Sequence, residues 1–568
     1  MREFPIPKIT GTHAEVFAAA GVADVIAGAG ECAIVDRGTG FVVEAERDLD
    51  AGDLAGLSGK PGYLYLRTKG GAALPAGIEE EDVLDYPKEK AKFDRYREAQ
   101  KARRAGLTST DEIDADAPHE DWRLYQALNA LQGDDGTNKA AEAILKEGPE
   151  GWKKILREAL EELSRGEVIA LKWPLNLVQL FNPQAAKGYA RLKPDSTDRN
   201  DATKNQWGEP FMEWLKYRGY FRVACPFFLG SKGENVRLLC PIPERIERKL
   251  LNTVVGELRR SPIFGSAPKL DCLAALKLAE ILIKRSKEFQ GECVVPSQLV
   301  SGLMIAHYQS MGQSKAVTSI ERLALPDWFP ISNAAEADLW LNILDEHQKV
   351  LRSLKDDRSD EIGLLIAYRR FLEMRGKKSV DALLSFLGDY GVFLMRERER
   401  DKTRKLKQFL TVHVRSIVMQ EPDYHEILEN PGFKAIAAAI RTATVSAQAR
   451  KRLQATDYRN IRYGLLPELR RKRTLPNSDS FLEAIADFVV SYNAESARRF
   501  EMGKATGTRR VTTEELECFV GLLSKLPKQK ASAVGALLCA YASCREPREA
   551  EGEEMPEENK DTGEVQNG

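Results

Sequence analysis

Cys32-Ala-Ile-Val-Asp-Arg-Gly-Thr-Gly-Phe-Val-Val43 decides the architecture of the first part of the chain, because two β-prone runs flank a glycine-containing turn, the pattern of a strand hairpin. Gly62-Tyr-Leu-Tyr-Leu-Arg67 is a further strand candidate. From Asp85 to His119 the composition shifts to Lys, Glu, Asp and Arg with few apolar anchors, which predicts a solvated helix and a linker. An α+β N-terminal domain is therefore expected over residues 1–115. A mixed α/β domain is expected over 116–267. It opens with a helix carrying Trp122, Tyr125, Leu128 and Leu131, and turns at Gly133-Asp-Asp-Gly136. It then enters a long polar loop over 182–210 that contains Pro183, Pro194 and Pro210. After the loop, Met212 to Tyr220 reads as a short helix, and Phe221 to Leu229 with Asn235 to Cys240 reads as a hairpin around Ser231-Lys-Gly-Glu234.

From about residue 268 the apolar period becomes that of helices. Leu270, Leu273, Ala274, Leu278 and Ile281 form one stripe, Trp340, Leu341, Leu344 and Leu351 a second, and Ile362, Leu365, Ile366 and Leu372 a third. The expected fold is an α+β N-terminal body with β-hairpins followed by an all-α helical-bundle C-terminal half. It divides into a helical region over 268–390, a basic bundle over 391–545 and an acidic tail over 546–568. Ser480-x-x-Glu483 and Thr512-x-x-Glu515 both have capping-box spacing, and Phe481, Ile485, Phe488, Val489 and Tyr492 form a core-facing stripe. Beyond Cys544, nine acidic residues against Arg545, Arg548 and Lys560 predict a disordered tail.

The 568 residues carry 84 Lys plus Arg against 85 Asp plus Glu, which excludes a small disulfide-stapled scaffold and a globally basic nucleic-acid binder, but not local patches. No run approaches the ~18 apolar residues of a membrane span, so no membrane partner is expected. Glu15 and Asp24 interrupt the apolar stretch Ala14 to Gly30, which does not read as a signal peptide, and a reducing cytoplasm is the expected location. Eight cysteines without a two-residue spacing read as buried small hydrophobes.

Catalytic patterns fail on context. Gly28-Ala-Gly30-Glu-Cys-Ala33 matches a dinucleotide string, but a helix precedes it and a strand follows, the reverse of what that fold requires. Neither Gly59-Lys60-Pro61 nor Gly503-Lys504-Ala505 supplies the hydroxyl of a phosphate-binding loop. Asp134 and Asp135 have helical flanks, and Asp195, Asp198 and Asp201 lack the spacing of a calcium loop. The six histidines, at 13, 119, 307, 347, 413 and 425, form no local ligand pair, and His347 reads as a hydrogen-bonded core residue. A non-enzymatic chain without cofactor or metal is expected.

Positive charge is concentrated in residues 431–475. There Lys434, Arg441, Arg450, Lys451, Arg452, Arg459, Arg462, Arg470, Arg471, Lys472 and Arg473 face only Asp457 and Glu468, a local excess of nine. The spacing of Lys434 and Arg441 predicts one shared helix face, and Tyr458 and Tyr463 add groups able to stack on bases. A second run, Arg396 to Lys407, is expected to be spent in part on intrahelical ion pairs. In the 182–210 loop, Lys187, Arg191, Lys193, Arg199 and Lys204 alternate with Asn182, Gln184, Asn200, Asn205 and Gln206, which offers phosphate ligands and amides able to read base edges. Lys232, between Gly230 and Gly233, is placed for close approach to a backbone.

Three segments together carry a family resemblance. They are Leu124-Tyr-Gln-Ala-Leu-Asn-Ala-Leu-Gln132 with Asn138-Lys139; Pro210-Phe-Met-Glu-Trp-Leu-Lys-Tyr-Arg-Gly-Tyr-Phe221 leading to Gly230-Ser-Lys232; and Ile436 to Arg441 with Ile461-Arg-Tyr-Gly-Leu465, Arg470 and Ser491-Tyr-Asn493. In this order they resemble the large subunit of type I CRISPR surveillance complexes, the Cas-eight family of Cascade assemblies. The resemblance implies a mixed N-terminal body that holds the guide-RNA (crRNA) 5′ end and recognises the short motif (PAM) beside a double-stranded DNA target, followed by a helical bundle near the displaced strand. It also implies other Cascade subunits and a recruited helicase-nuclease as partners, with guide pairing reading the remaining sequence. The nucleic-acid-binding candidates are Lys187, Arg191, Lys193, Asn200, Lys204, Asn205, Lys232, Lys434, Arg441, Arg462, Arg470, Arg471, Lys472 and Arg473. These come from charge and loop chemistry, not from the resemblance. Two other readings stay open at this point: a helical scaffold whose basic face binds acidic surfaces or its own tail, and a metal-dependent nuclease using Asp134, Asp135, Asp195 and Asp198.

Overall fold

The computed structural model describes residues 2–50, 52–104, 117–169, 171–173, 177–183, 209–230, 233–311, 314–401, 403–452, 459–472, 478–503, 509–526 and 528–547. The chain divides into two compact units, residues 1–344 and 345–568. The first is α+β and the second is helical.

The first unit holds two four-stranded antiparallel sheets. One runs β1 (Glu3–Pro7), β3 (Gly40–Ala45), β2 (Cys32–Asp36), β8 (Arg245–Glu247); the other runs β10 (Ser314–Ala324), β9 (Val300–Met311), β7 (Asn235–Pro243), β6 (Cys225–Leu229). A parallel pair, β4 (Tyr65–Arg67) and β5 (Val83–Asp85), stands apart. Its helices are α1 (His13–Ile26), α2 (Tyr86–Arg104), α3 (Trp122–Ala130), α4 (Asp134–Ser164), α5 (Pro210–Val223), α6 (Arg248–Arg260) and α7 (Ala267–Gln290). Both hairpins expected from the sequence form, Cys32–Asp36 with Gly40–Ala45 and Cys225–Leu229 with Asn235–Pro243.

Helix α1 is buried on nearly every face and crosses α5 at backbone contact. A β-carbon on Gly21 would stand 1.9 Å from the Leu215 carbonyl oxygen, and one on Gly219 would stand 1.8 Å from that of Phe17, so both positions require glycine. The two charges that interrupt the apolar run have structural duties. Glu15 accepts from the Thr12 N–H at 3.0 Å in a complete capping box. Asp24 accepts from Arg218 at 2.6 and 2.9 Å and from Arg222 at 2.8 Å. Burial pushes the Asp24 carboxyl up, and the two guanidiniums overcome it and hold it below its ordinary value.

Several expectations need correction. The boundaries at 115 and 267 fall inside one unit, because Ala33, Ile34 and Val35 of β2 pair with Glu247, Ile246 and Arg245 of β8. The stretch 268–390 is not wholly helical: β9 and β10 form a long hairpin over 300–324. β9 lies between β7 and β10 and is largely buried, so it lacks the alternation that marks a half-exposed strand. The turn before α4 is Leu131–Gly133, with Gln132 at φ 56°, and Asp134 and Asp135 sit in the helix's first turn, where acids favour the N-terminal dipole.

In the second unit the longer helices are α8 (Ala334–Ser353, within which the division falls), α9 (Ser359–Glu373), α10 (Lys377–Arg400), α11 (Thr411–Val418), α12 (Pro431–Arg441), α13 (Ala447–Arg452), α14 (Leu465–Lys472), α15 (Ser478–Glu501), α16 (Thr513–Lys525) and α17 (Lys528–Ser543). α10 packs on α9 and α17. The Phe481, Ile485, Phe488, Val489 and Tyr492 stripe is buried, whereas Ile366 is 51% exposed and Leu364 takes its place in the core. His347 is a core histidine, bonded through Nδ1 to the Tyr368 hydroxyl at 2.7 Å. The Thr512 capping box is complete, but α15 starts at Ser478, so Ser480 lies inside it rather than at its cap. Six cysteines are buried, Cys293 is intermediate, and Cys518 is exposed, against the expectation for all eight. Glu546, the first residue assigned to the tail, is docked on Arg441 and Thr411; residues 548–568 lie outside the described residues.

Candidate nucleic-acid interface

Lys187, Arg191, Lys193, Asn200, Lys204 and Asn205, with Lys232 on the hairpin, lie outside the described residues. The start of the 182–210 loop is described, and there Asn182 is no base reader. It is fully buried, donates to Glu213 at 2.6 Å and accepts from Lys216 at 2.6 Å, and Lys216 also reaches Glu213 at 2.7 Å. Residues 184–208 lie outside the described residues, and the described chain resumes at Glu209, just before Pro210, the first residue of α5.

In the run Arg396 to Lys407, arginines turn inward onto acids contributed by other elements as well as their own. Arg404 bonds Glu361 at 2.9 Å and Glu397 at 3.2 Å, both carboxylates being fully buried, and Arg358 joins Glu397 at 2.7 Å. Arg396 pairs with Asp360, Arg400 with Glu397 at 3.2 Å, and the buried Arg398 donates to Gln408 at 3.0 Å. Within this run Arg398 and the Arg404 side chain are buried, while Arg396, Arg400, Lys405 and Lys407 stay exposed.

Much of the 431–475 excess is also neutralised once distant acids are in place. Arg441 is the clearest correction. Its guanidinium is buried, donates to the Tyr541 carbonyl at 3.0 and 3.2 Å and pairs with Glu546, so it does not share the exposed face of Lys434. The one-turn π-helix at Thr442–Ser446 follows it directly. Lys434 pairs with Glu429 at 2.9 Å, Lys451 with Glu399 at 3.1 Å, and Arg470 with Asp389. The Tyr463 hydroxyl donates to Glu399 at 2.7 Å. Arg462 hangs on Ala443 through its backbone N–H at 2.9 Å, with its guanidinium 5.7 Å from the Phe488 ring centre. Arg471 is exposed in the last turn of α14, Lys472 closes that helix, and Arg473 lies outside the described residues.

What the fold leaves cationic is a cavity of about 340 Å³ between α12, the π-turn, α13, α15 and the segment Arg509–Val511. Lys434, Arg450, Arg459, Arg509 and Arg510 line it, and no carboxylate does. Arg459 forms a deep wall: it is 3% exposed, lies 4.0 Å over the Tyr492 ring, donates to the Ser496 hydroxyl and the Tyr492 carbonyl, and stands 3.8 Å from Glu495. Its Nε has no hydrogen-bond partner. Burial lowers the guanidinium's pKa, with Tyr492 and Glu495 acting against it, and an arginine remains charged under any such shift.

The opposite wall is tied by side chains. Asn493 donates to the Val511 carbonyl at 2.7 Å and accepts from its N–H at 3.1 Å, as a neighbouring strand would. The Tyr492 hydroxyl donates to the Arg509 carbonyl at 3.3 Å, and the Arg509 guanidinium pairs with Glu515 of the capping box. Among the described residues, Arg450 and Arg510 are exposed and make no ion pair. Two stretches of the third quoted segment contribute lining residues here, Ala438 and Ala439 from Ile436 to Arg441 and Tyr492 from Ser491 to Asn493. The basic window over 431–475 counted Arg450 and Arg459 without making them named candidates, and Arg509 and Arg510 lay outside it; the signal for the last two was their place just before the Thr512 cap. Among the described residues no three His, Cys, Asp or Glu side chains group as metal ligands, and no helix is long and apolar enough to cross a membrane. No protein-family model matches the chain, and no curated protein matches it.

Proposed function

We propose that the chain is a non-catalytic nucleic-acid-binding protein and, on the resemblance of its motif segments, the large subunit of a type I CRISPR surveillance complex acting in the cytoplasm. The observation that carries the first part is the cavity lined by five cations and no carboxylate, with a buried arginine fixed on an aromatic ring as its wall. A buried guanidinium held on a ring, with exposed arginines beside it, supplies charge-assisted donors for phosphate oxygens that carry no sequence information. In this reading the C-terminal unit grips a strand backbone, while the N-terminal unit and its polar loop contact the guide RNA 5′ end and the flanking motif of the double-stranded target, beside other Cascade subunits and the recruited helicase-nuclease. The test is affinity purification of the tagged full chain from its native host, with sequencing of bound RNA and mass spectrometry of bound proteins. Recovery of repeat-derived guide RNA with a multi-copy backbone subunit supports the reading. Recovery without nucleic acid overturns it and leaves a helical scaffold.

A further inference from the structure

A second cleft, of about 610 Å³, lies wholly in the N-terminal unit and has the opposite electrostatic character. Its floor is built around residues 61–66. The Tyr125 hydroxyl accepts from the Leu64 N–H at 2.7 Å and donates to the Leu64 carbonyl at 3.2 Å. Asn138 repeats the device two residues on, accepting from the Leu66 N–H at 3.0 Å and donating to its carbonyl at 2.9 Å. Trp214 Nε1 donates to the Pro61 carbonyl at 3.1 Å. The segment is thereby fixed, bending at Gly62, with φ 88°, before it enters β4, and the Tyr63 ring stacks on Phe221 with centres 5.5 Å apart. Ile144 and Leu145 of α4 supply an aliphatic wall.

The rim is acidic. Glu79, Glu81 and Glu120 are exposed and, among the described residues, make no ion pair. The two cations in the lining are already engaged, Lys60 with Asp82 at 2.9 Å and Arg222 with Asp24 at 2.8 Å. The unspent charge is negative, which repels phosphate and so disfavours nucleic acid as occupant. An apolar, aromatic-floored cleft with a negative rim suits side chains that lay an aliphatic stem on apolar surface and carry a cation at the tip. The volume lies within the ~300–1,000 Å³ of ordinary ligand sites.

We propose that this cleft docks a basic peptide segment of a protein partner, in which arginine or lysine alternates with aliphatic residues. It is independent of the cationic cavity, which lies in the other unit.

The test uses the full chain and fluorescence anisotropy with three labelled peptides of equal length, made of Leu and Arg, Leu and Glu, or Ser and Arg. The Leu/Arg peptide is expected to bind, and Glu79→Gln/Glu81→Gln/Glu120→Gln together to weaken it about tenfold through a lost charge complement. Leu145→Gln is expected to weaken the Leu/Arg peptide more than the Ser/Arg peptide, while DNA binding by both variants stays at the parental level. Equal affinity for the Leu/Arg and Ser/Arg peptides, or no change in the triple variant, overturns the proposal. So does full displacement by spermidine at the peptide's own concentration, which assigns the cleft to a small polycation.

Discussion

The two basic regions of the C-terminal unit look alike on paper and differ in space. Between Arg396 and Lys407, arginines meet the fully buried Glu361 and Glu397, and Arg404 is 8% exposed with two carboxylate partners. Around Arg459, five cations line one cavity with no acid among the lining residues. A buried pair of opposite charges is costly to break and adds little net stability over an apolar substitute. At the cavity, Lys434, Arg459 and Arg509 each face one acid outside the lining, while Arg450 and Arg510 make no ion pair among the described residues. The first arrangement therefore serves folding, and the second is what a binding site requires.

The largest effect that would break this contrast is on stability. Glu397→Ala leaves Arg358, Arg400 and Arg404 without a shared carboxylate and is expected to cost ~3–5 kcal/mol in urea unfolding, with DNA affinity of the folded protein unchanged. A loss below ~1 kcal/mol would place these charges in solvent instead. Arg441→Ala sharpens the same distinction. It should lower stability by roughly 1.5–3 kcal/mol, since charge-assisted bonds to the Tyr541 carbonyl are lost, and leave DNA binding intact. Reduced DNA affinity at full stability would restore the sequence-based assignment.

A pH effect follows from His347, whose imidazole burial, aided by His413, pushes down to about 3. The unfolded imidazole takes its proton near pH 6.5, so between those values the unfolded state binds more protons. Stability is full above about pH 6.5 and falls with acidification by ~1.4 kcal/mol per pH unit. His347→Gln should flatten the C-terminal unit's acid limb by that slope in denaturant melts at several pH values; an unaltered slope counts against the buried neutral histidine. In the N-terminal unit His13, pushed down to about 4 by burial against its bond to Leu180, should act in the same direction over a narrower range.

How much of this was legible follows from range along the chain. The Cys32–Val43 hairpin, the Thr512 cap and the Phe481–Tyr492 stripe are local patterns and formed where their residues placed them, while the Phe221–Leu229 strand of the second hairpin begins only at Cys225, because the preceding helix runs on to Val223. The β9–β10 hairpin was missed because a strand covered on both faces loses its alternation. The charge excess over 431–475 misled for a related reason. Its neutralising acids, Glu399, Glu429, Glu546 and Asp389, are supplied by elements outside the window, so no local count includes them. Arg509 and Arg510 were overlooked from the opposite side: they lie more than thirty residues beyond the counted segment and reach the cavity only because Asn493 grips Val511.

The most direct measurement is the salt dependence of DNA binding by the full chain, with Arg450→Ala/Arg510→Ala beside the parent, on two single strands of unrelated sequence. These two arginines are exposed and carry no ion pair among the described residues, so their loss should not move the unfolding midpoint. The predicted result is affinity about tenfold lower on both strands, with the slope of log K against log salt shallower by ~1.4, the share of two released counterions on single strands. An unchanged slope and affinity on both strands would contradict the cavity as the phosphate site.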